Sequence, residues 1–368
     1  MNKNSFTTDL MKTTKPAPPL DMSRMLLISM RGAILKQFQR SRNYYMPAMI
    51  GDFRFVSEIN KEGTKKTFRV GIYQNHRGKK VIAKILFRPV KDYHYLTFKN
   101  EIGLYRVLNA VSQRLGANKP VQFKQVSIPK LIAAFETHEM VVALIEYVEG
   151  KMATTISAKQ KLVAYFAVSD YLGFLGSHLT RNERTYVSMR SAKHYIFLYP
   201  ILLLKAVLTA PKATGPLLRG VPVFLRSIPA LINSKQIKLV HRDLHFGNIL
   251  VSDESTVLID LQFCLFTYLL HELITTLRYR WKEDDFYKLF LSEIERRHGS
   301  SPQFETLFKG LSVNSITHGL TDNDFTKTTI IHWIDFLRWV TTKEFAFQLK
   351  PVGYRTHKKS LALLQKSV

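Results

Sequence analysis

A short polar stretch between two apolar runs constrains this chain more than any other feature. The stretch reads 239-LVHRDLHFGNILV-251, and the apolar run that follows it, 258-LIDLQF-263, carries one more carboxylate. The flanks are typical of β-strands, so the polar residues are expected on a tight connection. Three interpretations compete: a metal site, a loop that transfers a phosphoryl group, and ordinary turn chemistry.

The spacing of two histidines raises the metal interpretation first. His241 and His245 are four residues apart, as in zinc sites where a helix places both rings on one face and a glutamate acts as the base. Here Arg242 takes the position of that glutamate and the flanks are β-like. A third ligand is not apparent nearby in the sequence. The pattern therefore disfavours zinc.

The same stretch contains the groups that phosphoryl transfer requires. The reaction needs a carboxylate that orients and deprotonates the attacking hydroxyl, ligands for Mg²⁺, and a cation that positions the nucleotide. Asp243 is followed five residues later by Asn248, and Asp260 lies on the next strand. Magnesium prefers hard oxygen ligands and keeps several waters, so one amide and one carboxylate are enough.

These residues carry a family resemblance. HRDLHFGN resembles the catalytic loop of the protein-kinase-like superfamily, and its second histidine and Gly-Asn pair are most similar to aminoglycoside phosphotransferases and related small-molecule or lipopolysaccharide kinases. The segment LIDLQ stands where protein kinases carry DFG. The resemblance implies that Asp243 is the base and that Asn248 and Asp260 bind Mg²⁺. It also implies that His245 lies near the γ-phosphate of ATP and that His241 anchors the loop.

Other parts of a kinase site follow in the order that the resemblance requires. The strand 81-VIAK-84 resembles the V-A-I-K strand of kinases, which makes Lys84 the phosphate-binding lysine. Glu101, in the next predicted helix, is the expected ion-pair partner of Lys84; the alternative is a solvated surface carboxylate. The segment 144-LIEYVEG-150 resembles a hinge. Adenine is therefore expected to meet the backbone of Glu146, Tyr147 and Val148.

The hydrophobic pattern is consistent with the fold that the resemblance implies. Alternating apolar residues predict three antiparallel strands over 52–87 and two more at 131–136 and 141–148, and helical periodicity predicts one helix over 95–115. Beyond Gly150 the pattern is mostly helical. The expected fold is bilobal α+β and protein-kinase-like, with a five-stranded antiparallel sheet and one helix in the N-lobe and a mainly helical C-lobe.

Three parts of the chain are expected. They are an N-terminal extension over 1–50, a nucleotide-binding N-lobe over 51–149, and a catalytic and acceptor-binding C-lobe over 150–368. The C-lobe contains a basic, apolar insertion at about 185–235, which five prolines predict to be less regular than its surroundings. The extension contains 22-MSRMLLISMRGAILKQFQRS-41, which predicts a basic amphipathic helix that either lies on a membrane or packs on the catalytic body.

The chain departs from protein kinases in two places. The turn 60-NKEGTKKT-67 lacks the glycine-rich G-x-G-x-x-G pattern, so Gly63 and neighbouring backbone amides or lysines are the candidates for covering the phosphates. After Asp260 the chain runs directly into 261-LQFCLFTYLLHELITTLRYRW-281. This run has neither an A-P-E motif nor room for a long activation segment, which makes a conventional protein kinase the second choice.

Charge bears on the partners of the protein. Lys and Arg number 54 against 28 Asp and Glu, a formal net charge of +26. Such a field attracts nucleotides, phosphorylated glycans, nucleic acid or acidic lipid, and it disfavours a polycationic acceptor. The single cysteine, Cys264, fits a reducing compartment and core packing. Cytoplasmic location, at most peripheral to the inner face of a membrane, is therefore expected.

The leading hypothesis is an active kinase that uses ATP and Mg²⁺ and phosphorylates a hydroxyl of a non-protein acceptor, such as a sugar or a glycolipid at an anionic membrane surface. One alternative is an atypical serine/threonine protein kinase. Others are a catalytically silent nucleotide-binding scaffold and a basic nucleic-acid-binding protein. The joint presence of the five kinase-site residues argues against a silent scaffold. Nucleic acid is disfavoured because aromatic and basic residues are not clearly interleaved.

Overall fold

The computed structural model describes residues 44–59, 68–87, 93–280, 285–299, 301–321 and 327–342. The predicted helix at 22–41 and the turn that contains Gly63 lie outside these residues. The chain forms two compact units, each assembled from separate segments. The first contains the residues up to Gly150, Phe174–Ser188 and Val257–Cys264. The second contains Lys151–Gly173, Met189–Thr256 and the residues from Leu265 onward.

The strands of the described residues are β1 Met49–Ile50, β2 Phe53–Glu58, β3 Phe68–Asn75, β4 Lys80–Phe87, β5 Val126–Ser127, β6 Leu131–Glu136, β7 Met140–Glu146, β8 Lys151–Met152, β9 Ile237–Val240, β10 Ile249–Val251, β11 Thr256–Leu258 and β12 Leu265–Tyr268. The helices are α1 Tyr93–Leu115, α2 Ala158–Ser177, α3 Arg181–Arg184, α4 Ala192–Thr209, α5 Thr214–Asn233, α6 Leu269–Tyr279, α7 Asp285–His298, α8 Pro302–Gly319 and α9 Lys327–Thr341.

An antiparallel sheet with the strand order β1-β2-β3-β4-β7-β6 forms the core of the first unit. The five predicted strands are present, and the two-residue edge strand β1 extends the sheet. Strand β4 is central and buried along most of its length, since β3 and β7 pair with its two edges. The predicted helix is present as α1. The N-lobe architecture expected from the sequence is therefore confirmed.

Helices dominate the second unit, as the sequence predicted. Helix α8 is buried along most of its length, and α5 crosses it where two small residues meet: a Cβ added to Gly310 would lie 1.9 Å from Ser227 Oγ. Two short antiparallel pairs flank the loop that follows β9. Strand β9 pairs with β12, and β10 pairs with β8. These pairs fix both ends of the loop.

The insertion at about 185–235 is more regular than its prolines predicted. It forms α4 and α5, joined by a 3₁₀ turn at Pro211–Ala213, and three prolines lie inside the helices. Pro200, Pro222 and Pro229 are all on the exposed side. Proline removes one backbone hydrogen bond from a helix, and on the solvent side water can satisfy the carbonyl that loses its donor. Exposure therefore explains why the helices continue through these positions.

Candidate active site

Lys84 is held between two carboxylates in the first unit. It lies on the central strand β4, opposite Val70 of β3 and Ala143 of β7, and its side chain is buried. The Lys84 Nζ atom donates to both carboxylate oxygens of Glu101, at 2.6 and 2.8 Å, and to Asp260 Oδ1 at 3.0 Å. Glu101 is fully buried rather than a solvated surface residue.

The electrostatics of this cluster keep the lysine charged. Burial alone would lower the pKa of Lys84, but the carboxylates of Asp260 and Glu101 outweigh burial, and its pKa is raised. Burial raises the pKa of the Glu101 carboxyl, and the Lys84 ammonium works against that rise. The backbone N–H of Leu261 donates a further hydrogen bond to Glu101. Since three donated hydrogen bonds converge on this carboxylate, we treat the Lys84–Glu101 pair as ionised.

The segment that carries Asp260 is fastened to α1. Asp260 has φ of 63°, in the left-handed region, and a 3₁₀ turn over Leu261–Phe263 follows it. Gln262 Nε2 donates to Thr97 Oγ1 at 2.7 Å, so the residue at the position of the DFG glycine attaches this turn to the helix that carries Glu101. The turn therefore fixes the Asp260 backbone, while its carboxylate, about a third exposed, stays open to solvent.

The predicted catalytic loop lies between β9 and β10 in the second unit. Asn248 is fully buried, and its Nδ2 donates to the backbone carbonyl of Asp243 at 2.9 Å. Its other side-chain atom, Oδ1, is buried and has no hydrogen-bond partner among the described residues. A buried amide oxygen without a donor is costly unless a ligand completes it. It is also the type of hard oxygen that Mg²⁺ binds.

His245 and Asp243 project from the same loop, and each side chain is about half exposed. The His245 Nε2 atom lies 4.0 Å from Asp243 Oδ2. Its Nδ1 accepts a hydrogen bond from the Gly247 N–H at 3.0 Å, so the proton of the neutral ring is on Nε2, the nitrogen nearer Asp243. A Cβ at Gly247 would lie 2.9 Å from His245 Cε1, which explains the glycine.

A buried glutamate anchors the catalytic loop, and the sequence reasoning missed it. Glu272 of α6 accepts the backbone N–H groups of His241 and Arg242 and the hydroxyl of Ser169. Burial raises its pKa, although these hydrogen bonds oppose the rise. Arg242 has φ of 65°, a left-handed conformation that is rare for an arginine. The signal in the sequence was the single carboxylate of the helical run 269-LLHELITTLRY-279.

The predicted hinge residues lie at the end of β7. The backbone N–H of Glu146 donates to the carbonyl of Lys130 at 2.8 Å, and its carboxylate accepts from the Lys130 N–H at 3.0 Å. The ammonium of Lys80 lies 5.4 Å from the centre of the Tyr147 ring. Because the Glu146 N–H is already occupied, Tyr147 and Val148 are better placed to offer backbone groups to a ligand.

The predicted residues thus form two groups. Lys84, Glu101 and Asp260 meet in the first unit, and Asp243, His245 and Asn248 share one loop of the second. Gly63 lies outside the described residues. Within the described ranges, no group of three or more His, Cys, Asp or Glu side chains could hold a metal ion. A magnesium ion would therefore rely on few protein ligands and on phosphate and water oxygens.

The antiparallel N-terminal sheet, the buried Lys–Glu pair and the Asp…Asn loop define a phosphotransferase of the protein-kinase-like superfamily. A model of the APH phosphotransferase enzyme family matches residues 87–293, and the chain belongs to that family. It is a kinase. No curated protein sequence matches the chain.

Solved structures with the same fold include several small-molecule kinases. A ternary complex of an aminoglycoside phosphotransferase with AMP-PNP and hygromycin B is 11% identical in sequence, with a TM-score of 0.57. The alignment covers 79% of this chain and 94% of that one. A microcompartment-associated aminopropanol kinase is 12% identical, with a TM-score of 0.54, covering 79% of this chain and 91% of that one. At this identity the likeness establishes the fold, and the predicted bilobal kinase-like fold is confirmed.

Proposed function

We propose that the protein transfers the γ-phosphate of ATP, with Mg²⁺, to a hydroxyl of a non-protein acceptor that is a sugar or a glycolipid. The observation that carries this proposal is the catalytic loop, where Asn248 fixes the Asp243 backbone and leaves its own buried Oδ1 without a donor. In a catalytically silent scaffold the unpaired oxygen would only lower stability, so this arrangement favours an active kinase.

The residues divide the chemistry among them. Asp243, whose carboxylate is accessible, accepts the proton of the attacking hydroxyl and orients the oxygen toward phosphorus. Lys84, kept charged by Glu101, binds phosphate oxygens of the nucleotide. Asn248 Oδ1 and the Asp260 carboxylate are each proposed as a ligand of Mg²⁺, which would neutralise charge on the phosphates when it is bound. His245 can donate its Nε2–H to an oxygen of the γ-phosphate.

Two features support a non-protein acceptor. Only Leu261–Cys264 separate Asp260 from β12, which pairs with β9 over four residues. This leaves no room there for the long activation segment of a regulated protein kinase. The solved structures with this fold include kinases in complex with hygromycin B and spectinomycin. A net charge of +26 argues against a polycationic acceptor of that kind and favours an uncharged or anionic one.

A phosphate-transfer screen tests the proposal. The full chain is incubated with γ-labelled ATP and Mg²⁺ together with sugars, lipid extracts or proteins, and the labelled products are identified by mass spectrometry. We expect label in a sugar or lipid fraction, and we expect Asp243→Asn to lose at least about a thousandfold in kcat while it still binds ATP. Label found only in protein would favour the atypical protein kinase, and undiminished turnover of Asp243→Asn would remove Asp243 as the base.

A further inference from the structure

Helices α4 and α5 each expose a stripe of large apolar side chains. On α4 the exposed large apolar residues are spaced four, three and four positions apart, and on α5 they are spaced seven apart. Each set therefore occupies one helical face. Every member is more than half exposed: Phe197, Ile201, Leu204 and Leu208 on α4, and Leu218, Leu225 and Ile232 on α5. We call these seven residues the α4–α5 face. A soluble protein seldom leaves so many large apolar side chains together without a partner.

The opposite sides of the same helices are packed into the second unit. The rings of Tyr199 on α4 and Phe224 on α5 stack at 3.9 Å. Gly220 of α5 lies against Val313 of α8, and a Cβ at Gly220 would come within 2.9 Å of it. Both helices are long and apolar enough to cross a membrane by length and composition. Because one side of each packs on protein, the α4–α5 face fits a bilayer surface better than a bilayer interior.

The charge around this face has one sign. Residues 184–242 contain ten Lys and Arg side chains and no Asp or Glu. Those on the two helices, Lys193, Lys205, Arg219 and Arg226, are all exposed. An apolar stripe bordered by arginine and lysine matches the interface of an anionic bilayer, where apolar side chains enter the acyl region and cations meet lipid phosphates. A second copy of the face would bring like charges together.

We propose that the α4–α5 face docks this protein on an anionic lipid bilayer. Helix α4 also contacts the helix that anchors the catalytic loop. The Tyr195 ring of α4 lies 5.6 Å from the His271 ring of α6, and the next residue, Glu272, anchors the loop. The docking is separate from the phosphotransfer chemistry, so it is measured without turnover and can fail independently.

Flotation of the full-length protein with vesicles tests the docking. The vesicles contain phosphatidylcholine alone or with about 30% phosphatidylglycerol. We expect binding to the anionic vesicles only, and weaker binding when salt rises from about 0.1 M to about 0.5 M. Leu204→Glu/Leu225→Glu should abolish binding. Its control is Val121→Glu/Ile331→Glu, which makes the same charge change at two exposed apolar residues outside the face and should bind as the unmodified protein does.

A second pair of variants tests the basic border. Arg219→Gln/Arg226→Gln should weaken binding about fivefold per arginine, because each basic residue near an anionic surface contributes about 1 kcal/mol. Lys124→Gln/Lys130→Gln removes the same charge from exposed positions elsewhere and should bind normally.

Four results would overturn the proposal. The first is unchanged binding by Leu204→Glu/Leu225→Glu, and the second is equal binding to neutral vesicles. The third is loss of binding only in the full-length variant Leu26→Glu/Ile28→Glu, which would assign membrane contact to the N-terminal extension. The fourth is a protein that ignores vesicles and changes from dimer to monomer with Leu204→Glu/Leu225→Glu, as light scattering would show; the face would then be a contact between two copies.

Discussion

At the scale of single residues, Asn248 divides two tasks between the two ends of one amide. The nitrogen ties the loop to the Asp243 carbonyl, and the oxygen remains buried without a donor. Aspartate keeps the oxygen and loses the nitrogen, whereas alanine loses both. These substitutions therefore separate the structural task from the proposed metal-binding task.

We expect Asn248→Ala to remove the Mg²⁺-dependent part of the thermal shift that ATP produces, and to lower stability by about 1 kcal/mol through the lost hydrogen bond. Asn248→Asp should retain a Mg²⁺-dependent shift, since a carboxylate is also a hard ligand. Asn182→Ala, at an exposed position, is the control. A full Mg²⁺-dependent shift in Asn248→Ala would show that this side chain does not bind the metal.

Because Glu272 is buried and accepts hydrogen bonds from the loop backbone and Ser169, we infer that it is a positioning residue. Glu272→Ala removes the acceptor of two backbone N–H groups, one of them in a buried hydrogen bond, and we expect it to destabilise the protein by about 2–5 kcal/mol in urea unfolding. Glu272→Gln keeps one oxygen and should fold, with a fall in kcat and little change in the KM for ATP. Equal kcat for Glu272→Gln and the unmodified protein would contradict the positioning role.

At the scale of elements, the contact between α5 and α8 depends on the absence of one side chain. A Cβ at Gly310 would lie 1.9 Å from Ser227 Oγ and 2.2 Å from Ser227 Cβ. Rotation of the Ser227 side chain would therefore not remove the clash, since its Cβ is fixed by the backbone. Helix α5 carries three of the seven residues of the α4–α5 face, and a shift of this helix would disturb that face.

Gly310→Ala is therefore expected to destabilise the fold by about 1–3 kcal/mol, although alanine favours helix more than glycine does. The combination Gly310→Ala/Ser227→Gly should recover part of the loss by moving the small residue to the other helix. Gly173→Ala, where the nearest atom to a Cβ is the flexible Lys238 Cδ at 3.5 Å, is the control and should not destabilise. Urea unfolding of the four proteins measures the effect, and a stable Gly310→Ala would mean that the helices separate freely.

The sequence predicted those elements whose signals are local. The strands of the first sheet alternate in period two and α1 has a clear helical period, so each is recognisable from its own residues. The role of Glu272 depends on Ser169 and on the loop, about 100 and 30 positions away in the chain, and local patterns do not contain that contact. The prolines of α4 and α5 led to a prediction of irregular structure, since proline usually interrupts a helix. The helices continue because these prolines lie on the exposed side, which only the packed unit determines.

At the scale of the whole molecule, we expect acid to destabilise the fold through a buried histidine that lies among positive charges. His271 is buried in the second unit, and burial lowers the pKa of its imidazole well below the ordinary value, with the charges of Arg242, Arg190, His318 and Arg278 lowering it further. The folded protein therefore keeps this ring neutral. The unfolded chain has no such surroundings, and there the ring takes up a proton near pH 6.5.

The sign of the pH dependence follows from this difference. Below about pH 6.5 the unfolded chain binds a proton that the folded protein does not, so acidification lowers the free energy of unfolding, by up to about 1.4 kcal/mol per pH unit. Urea unfolding at about pH 7.5 and about pH 5.5 should show the loss in the unmodified protein and a smaller loss in His271→Gln, where this titration is absent. Comparing the two pH values within each variant cancels the cost of the substitution itself. His138→Gln, at a histidine whose side chain is 90% exposed, should keep the full loss. If His271→Gln lost as much stability on acidification as His138→Gln, the buried imidazole would not be a source of the acid sensitivity.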